Sequence, residues 1–141
     1  MSHISTIELE ITDLDALKNA CKGLGFEFQE NKHTFAWYGY WVGRYPLPEG
    51  MTPEDLGRCN HAIKVPGAEY EVGVIKRDHH YILFWDSWRK GGLEKDTALG
   101  KGAKRLKQAY AIERIKNEAR KKNFKLHEKK IDQGVRLILT V

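Results

Sequence analysis

Lysine and arginine crowd the last third of the chain, at Lys101, Lys104, Arg105, Lys107, Arg114, Lys116, Arg120, Lys121 and Lys122. Such a run sets up an electropositive ridge. A phosphate backbone or an acidic protein surface is attracted to it with an affinity that falls as salt rises. Residues 99–141 hold 13 Lys and Arg against 4 Asp and Glu, whereas residues 1–98 hold 11 against 15. The overall net charge of +5 therefore conceals a basic C-terminal part and a mildly acidic remainder. Only Glu113 and Glu118 interrupt the positives between 101 and 122, which leaves few opposite-charge helical pairs. The competing reading is a solvated helix face kept soluble by lysine.

A second chemistry-bearing stretch is HTFAWYGYWVGRYPLPEGMTPEDLGRCN, with six aromatics, four glycines and three of the four prolines. Phe35, Trp37, Tyr38, Tyr40, Trp41 and Tyr45, near Arg44 and Arg58, have the composition of a surface that stacks bases or lines a ligand pocket. Alternating aromatics also pack into cores and brace long loops, so both readings stand. If residues 35–41 form a strand, one of its two aromatic faces is exposed, and an exposed aromatic face marks a contact site.

The remaining candidates are weaker. Cys59 and His61 lie two apart, with His33, His79 and His80 in other loops, but the spacing matches no common zinc pattern. No metal site, cofactor or catalytic residue is assigned. Asp86, at the end of the apolar run Tyr81-Ile82-Leu83-Phe84-Trp85, is either a binding carboxylate paired with Arg89 or an arginine elsewhere, or a turn cap. Gly91-Gly92 and Gly100-Lys101-Gly102 lack the spacing and the preceding strand of a phosphate loop.

The elements that must position these residues follow from periodicity. Residues 4–11 alternate as a half-buried strand. Thr12 and Asp13 then open a helix carrying Leu14, Leu17, Cys21 and Leu24 at helical spacing, with Gly23 and Gly25 as the stop. Residues 26–30 alternate again. The stretch from His33 to Asn60 extends a strand through Tyr40 and continues as a long loop, a length that in compact domains is often functional. Ala62–Val65 is a short strand, and Tyr70–Lys76 with His80–Asp86 a hairpin turning at Arg77-Asp78-His79. A helix over 101–122 has an apolar surface that drifts around its axis, as if it packs on two neighbours in turn. Lys104, Lys107, Arg114, Glu118 and Lys121 fall on its solvent-facing sector. Residues 124–131 and 135–141 form a terminal hairpin turning at Asp132-Gln133-Gly134. The predicted fold is α+β over one domain, 1–141. A mostly antiparallel sheet of six to seven strands carries two helices on one face, in the order β-α-β-loop-β-β-β-α-β-β.

Three segments, MSHISTIELEITDLDALKNACKGLGF, YEVGVIKRDHHYILFWDSW and LKQAYAIERIKNEARKKNFKLHEKKIDQGVRLILTV, carry a family resemblance. In order and spacing they resemble the domain-of-unknown-function family typified by the plastid and cyanobacterial reading frame ycf thirty-five, with bacterial and phage relatives. The stretch His33–Val65 departs from it, being longer and more aromatic. The resemblance implies a small standalone α+β protein and brings no catalytic residues.

No stretch approaches the roughly 18 apolar residues of a membrane span, and the N-terminus lacks a signal-peptide pattern. A cytoplasmic protein with two reduced cysteines and no membrane partner is expected. The leading expectation is a non-enzymatic binding or adaptor protein. It engages nucleic acid or an acidic protein surface through Lys104, Lys107, Arg114 and Lys121, with Trp37, Tyr38, Tyr40 and Arg44 from the aromatic loop. The alternative is an enzyme, or a ligand-sequestering protein such as a phage inhibitor of a host factor. Its small-molecule or nucleotide pocket would lie under the 33–60 loop, with Asp86, His61 and Arg44 as the polar groups.

Overall fold

The computed structural model describes residues 4–39, 47–48, 50–87, 91–93 and 99–140. Tyr40, Trp41, Arg44, Tyr45, Arg89 and the strand proposed through Tyr40 thus lie partly or wholly outside the described residues. The elements are β1 (Ile4–Ile11), α1 (Leu14–Leu24), β2 (Glu27–Gln29), β3 (His61–Lys64), β4 (Glu71–Arg77), β5 (His80–Asp86), α2 (Lys104–Lys121), β6 (Lys125–Ile131) and β7 (Gly134–Thr140). Single 3₁₀ turns at Pro53–Asp55 and Lys101–Ala103 complete the order. The α+β class and the order of elements are those the pattern predicts. The strands divide into an antiparallel five-stranded sheet, β1-β5-β4-β3-β2, and a separate β6–β7 hairpin.

The five-stranded sheet is covered on both faces. On one lie α1 and α2, enclosing Ile7, Ile11, Ile63, Val72, Val74 and Leu83 together with Leu17, Cys21, Leu106 and Tyr110 from the helices. On the other, Ile4, Ala62, Ile75 and Phe84 meet Phe35 and Met51 from the segment before β3. Burial on both faces explains why β3, β4 and β5 read as nearly continuous apolar runs rather than alternating ones.

Both helices end as their sequences dictate. Gly25, in the left-handed region at φ 79°, donates to the Lys22 carbonyl while Phe26 donates to that of Cys21. Asn123, at φ 58°, donates to Arg120 while Phe124 donates to Ala119. Each is a Schellman closure that satisfies otherwise free carbonyls. The second one aims the chain straight into β6.

The two helices are locked at one point. Asp13 caps α1 by accepting from the Ala16 amide at 3.0 Å, and its other oxygen accepts from Asn117 Nδ2 of α2 at 3.0 Å. The Tyr110 hydroxyl of α2 accepts from the amides of Thr12 and Asp13 at 3.0 and 3.2 Å. Burial alone would raise the Asp13 carboxyl. The Asn117 bond, the amides of Ala16 and Asp15 and the charge of Lys121 together hold it below its ordinary value.

Candidate functional site

The described part of the aromatic stretch, residues 33–39, and the basic helix lie on opposite sides of the sheet. Phe35 is buried at 3% exposure, its ring seated on Gly73 of β4. A Cβ at Gly73 would stand 2.5 Å from Phe35 Cδ1, so this glycine is the socket for the ring. Trp37 is half-buried against the same core, its indole nitrogen over Gly57. Two carboxylates at the edge of this face hold the backbone down. Glu71, 6% exposed, accepts from Lys32 Nζ at 2.8 Å with each oxygen and from the Ala36 amide at 2.9 Å. Asp86, fully buried, accepts from the Tyr38 amide at 3.0 Å.

Thus residues 35–39 form no strand. Only an isolated bridge joins Thr34 to Arg58. The physical reason is that its backbone bonds are divided among scattered partners: Phe35 donates to the Gly57 carbonyl, Ala36 donates to the Glu71 carboxylate and accepts from the Glu71 amide, and Tyr38 donates to Asp86. Tyr38 alone of the described aromatics here is an exposed large side chain, at 40%. The role of Asp86 was open in the sequence between a cap and a paired carboxylate. Its oxygen anchors the Tyr38 amide across 48 residues, a contact no local pattern announces.

The polar groups expected around a pocket are also divided by the sheet. His61 is on the helix side, stacked near Phe28 and Tyr81, with Nδ1 accepting from the Asn31 amide at 2.9 Å. Burial keeps its imidazole below the ordinary value. Glu30 opposes that shift, and Lys18 and His33 add to it. Asp86 faces the other side. Cys59 borders an open cleft of about 250 Å³ beside Arg58, Asn60 and Arg77. Burial, and then the charge of Glu71, push its thiol up to about 11, so it is a thiol rather than a nucleophilic thiolate near neutral pH. Neither His61 nor Asp86 lines that cleft. Among the described residues, no three His, Cys, Asp or Glu side chains gather as a metal site, and both cysteines are free.

On α2, Lys104, Arg114 and Lys121 are exposed and Lys107 is half-buried. The burial drifts in part as the periodicity predicts, although Ile115 stays 37% exposed. Leu106 and Tyr110 face α1 and the sheet, while Ala119, about two and a half turns beyond Tyr110, borders a groove with Phe124 and Leu126 at the foot of β6. The carboxylates of this region are taken up by two lysines. Lys116 pairs with Glu128 and with Glu113 at 3.5 Å, and Lys121 reaches Glu118 at 3.9 Å. Glu128, aided by Glu113, holds the Lys116 ammonium above its ordinary value against burial.

Among the described residues, no carboxylate forms an ion pair with Lys104, Arg105, Lys107, Arg114, Arg120 or Lys122, nor with Lys125, Lys129, Lys130 or Arg136 of the hairpin. A groove of about 350 Å³ is lined by Arg114, Lys122 and Glu118 together with the apolar Ile115, Ala119 and Phe124. The cations of the hairpin are a part of the surface that a helix-centred reading of the sequence passes over. Their signal was the alternation of Lys125, His127 and Lys129 with Leu126 and Glu128.

No helix among the described residues is long and apolar enough to cross a membrane. Comparison with protein-family models, curated proteins and solved structures finds no match to this chain.

Proposed function

We propose that the chain is a non-enzymatic binding protein whose C-terminal unit, α2 with the β6–β7 hairpin, engages a nucleic acid. The observation that carries this reading is the set of uncompensated cations. Glu113, Glu118 and Glu128 lie against Lys116 and Lys121, which leaves the remaining Lys and Arg side chains without ion-pair partners among the described residues. Self-repulsion among so many cations costs stability unless a polyanion relieves it. The groove between Arg114 and Lys122 has an apolar floor and one carboxylate, Glu118, which Lys121 faces, and it suits a ligand with both phosphate and base or sugar surface more than a purely acidic peptide. Phe35 and Trp37 take no part in this reading, because they are occupied by the sheet. Membership of the ycf thirty-five family, which rests on the three quoted segments, would add no activity to it.

Binding to mixed-sequence duplex DNA and RNA, followed by fluorescence anisotropy between about 50 and 300 mM salt, tests the proposal. The expected log–log plot is linear, with a slope that counts neutralised phosphates. The triple variant K104E/R114E/K122E is expected to abolish binding while stability stays within about 1 kcal/mol, because these charges are exposed. No binding of either nucleic acid at about 50 mM salt would overturn the reading.

A further inference from the structure

We infer that the outward face of the β6–β7 hairpin is a duplex-reading ribbon that lies in a nucleic-acid groove. This rests on the nucleic-acid reading above and deepens it. The register pairs Lys125 with Thr140, His127 with Ile138, Lys129 with Arg136 and Ile131 with Gly134. Alternation puts these residues on one face. The other face carries Leu126, Glu128, Lys130 and Val135, which border the grooves against the helices. The outward side chains of Lys125, His127, Lys129, Ile131, Arg136 and Ile138 are all exposed.

Two features of this face are unfavourable for a hairpin that only decorates the fold. Lys129 and Arg136 are directly opposite one another, a like-charge cross-strand pair that opposes folding. Ile131 and Ile138 are 40% and 46% exposed, among the few large apolar side chains the described surface leaves open. A phosphate seated at the Lys129–Arg136 pair removes the repulsion, and base edges or sugars cover the isoleucines. The dimensions agree. A pair of seven-residue strands is about 23 Å long with strands about 4.8 Å apart. Such a ribbon fits a duplex major groove about 12 Å wide. Arg120 and Lys122, exposed where α2 hands over to β6, stand at the base of the ribbon, where flanking phosphates would pass.

Charge selects this occupant over a second copy of the chain. Two copies joined through this face would bring Lys129 and Arg136 of one against the same pair of the other. The carboxylates of the hairpin do not relieve this: Glu128 is turned inward onto Lys116, and Asp132 is in the turn.

The test uses the full chain with a mixed-sequence 20-base-pair DNA duplex, the matching single strand and poly-glutamate as probes. K129T/R136T removes both charges yet keeps strand-compatible side chains. It is expected to lower duplex affinity about tenfold or more and to reduce the salt slope by about two, with thermal stability equal or higher. I131T/I138T is expected to lower duplex affinity with the slope unchanged. Duplex affinity within twofold of wild type in K129T/R136T would overturn the ribbon. If K104E/R114E/K122E still abolishes binding in that case, the wider nucleic-acid reading survives. Single strand bound as tightly as duplex, or an unaltered affinity in I131T/I138T, would overturn groove insertion. Retention on poly-glutamate equal to that on duplex would show attraction by charge alone and would overturn both. A preference for duplex together with the two variant effects supports the ribbon.

Discussion

Two stretches of this chain advertise chemistry through their composition, and the fold uses them in opposite ways. Residues 32–38 carry aromatics and lie against the sheet. Phe35 sits in the socket of Gly73, and Glu71 and Asp86 hold the amides of Ala36 and Tyr38. The hairpin β6–β7 carries cations, and seven side chains of its outward face are exposed. The difference teaches that aromatic richness next to glycine is a packing signal when a strand glycine faces the ring. Charge alternation along a ribbon outside the main sheet is a surface signal. Buried carboxylates decide the first case, and a like-charge pair marks the second.

The sharpest way to break this contrast is to remove one large side chain from each region. Phe35→Ala empties a socket whose walls are sheet backbone and cannot collapse easily. Unfolding in urea should show a loss of about 3–5 kcal/mol. Ile138→Ala, on a side chain 46% exposed, should cost under about 1 kcal/mol. Equal losses would mean that the hairpin is core and that the contrast is false.

A smaller effect is expected from the carboxylate that clamps the aromatic segment. Glu71→Gln keeps an acceptor for the Ala36 amide but gives up the charged contacts with Lys32, which is 40% exposed and can return to water. A loss of about 1–3 kcal/mol is expected, in the range of hydrogen bonds to charged groups. The same change removes a negative charge that raises the Cys59 thiol. Cys59 should therefore titrate lower than in wild type when followed by pH-dependent alkylation. A thiol that does not move would show that Glu71 is too well screened to act on it.

The helix side of the sheet offers a pH-dependent counterpart. His61 is kept neutral in the fold because burial depresses its pKa, whereas in the unfolded chain it takes up a proton near pH 6.5. The unfolded state therefore binds more protons below that pH, and stability falls with it. The contribution is fully present above about pH 7. It is lost as pH drops from about 6.5 toward the native value, by no more than about 1.4 kcal/mol per pH unit. His61→Gln keeps an acceptor for the Asn31 amide and should flatten the stability profile between about pH 7 and 5. An unchanged slope would assign the dependence to another group.

Much of the fold was legible because local signals and tertiary packing agree. Asp13 as a cap, Gly25 as a stop and the Asp78-His79 turn between β4 and β5 each have a residue-level cause. The drift of the α2 apolar surface is realised only in part: Leu106 and Tyr110 pack on α1 and the sheet and Ala119 is buried near the foot of β6, whereas Ile115 stays 37% exposed. The pattern predicts a strand through Tyr40, and residues 35–39 form none because their partners are far away in sequence. Glu71 and Asp86 look like ordinary strand-end acids, and nothing local shows that they accept amides 35 and 48 residues earlier. The sequence also located the charge on the helix and underrated the hairpin. The helix was judged by its run of lysines, whereas the hairpin cations become a surface only once the register sets Lys129 opposite Arg136.

That register carries the finest test of the contrast, since it sets folding against binding. Threonine at both positions removes a repulsion between directly opposed cations and retains β-branched side chains suited to a strand. Stability in K129T/R136T should thus rise by about 0.2–1 kcal/mol, or stay level where solvent already screens the pair. The gain should shrink as salt is added, because screening weakens the repulsion in wild type. Thermal melts of both proteins at about 20 and 500 mM salt would show the two curves converging. A loss of stability in the variant, independent of salt, would mean that Lys129 and Arg136 hold the hairpin together through their aliphatic stems. The outward face would then belong with the clamped aromatic segment as structure, rather than opposite it as a surface left open for a partner.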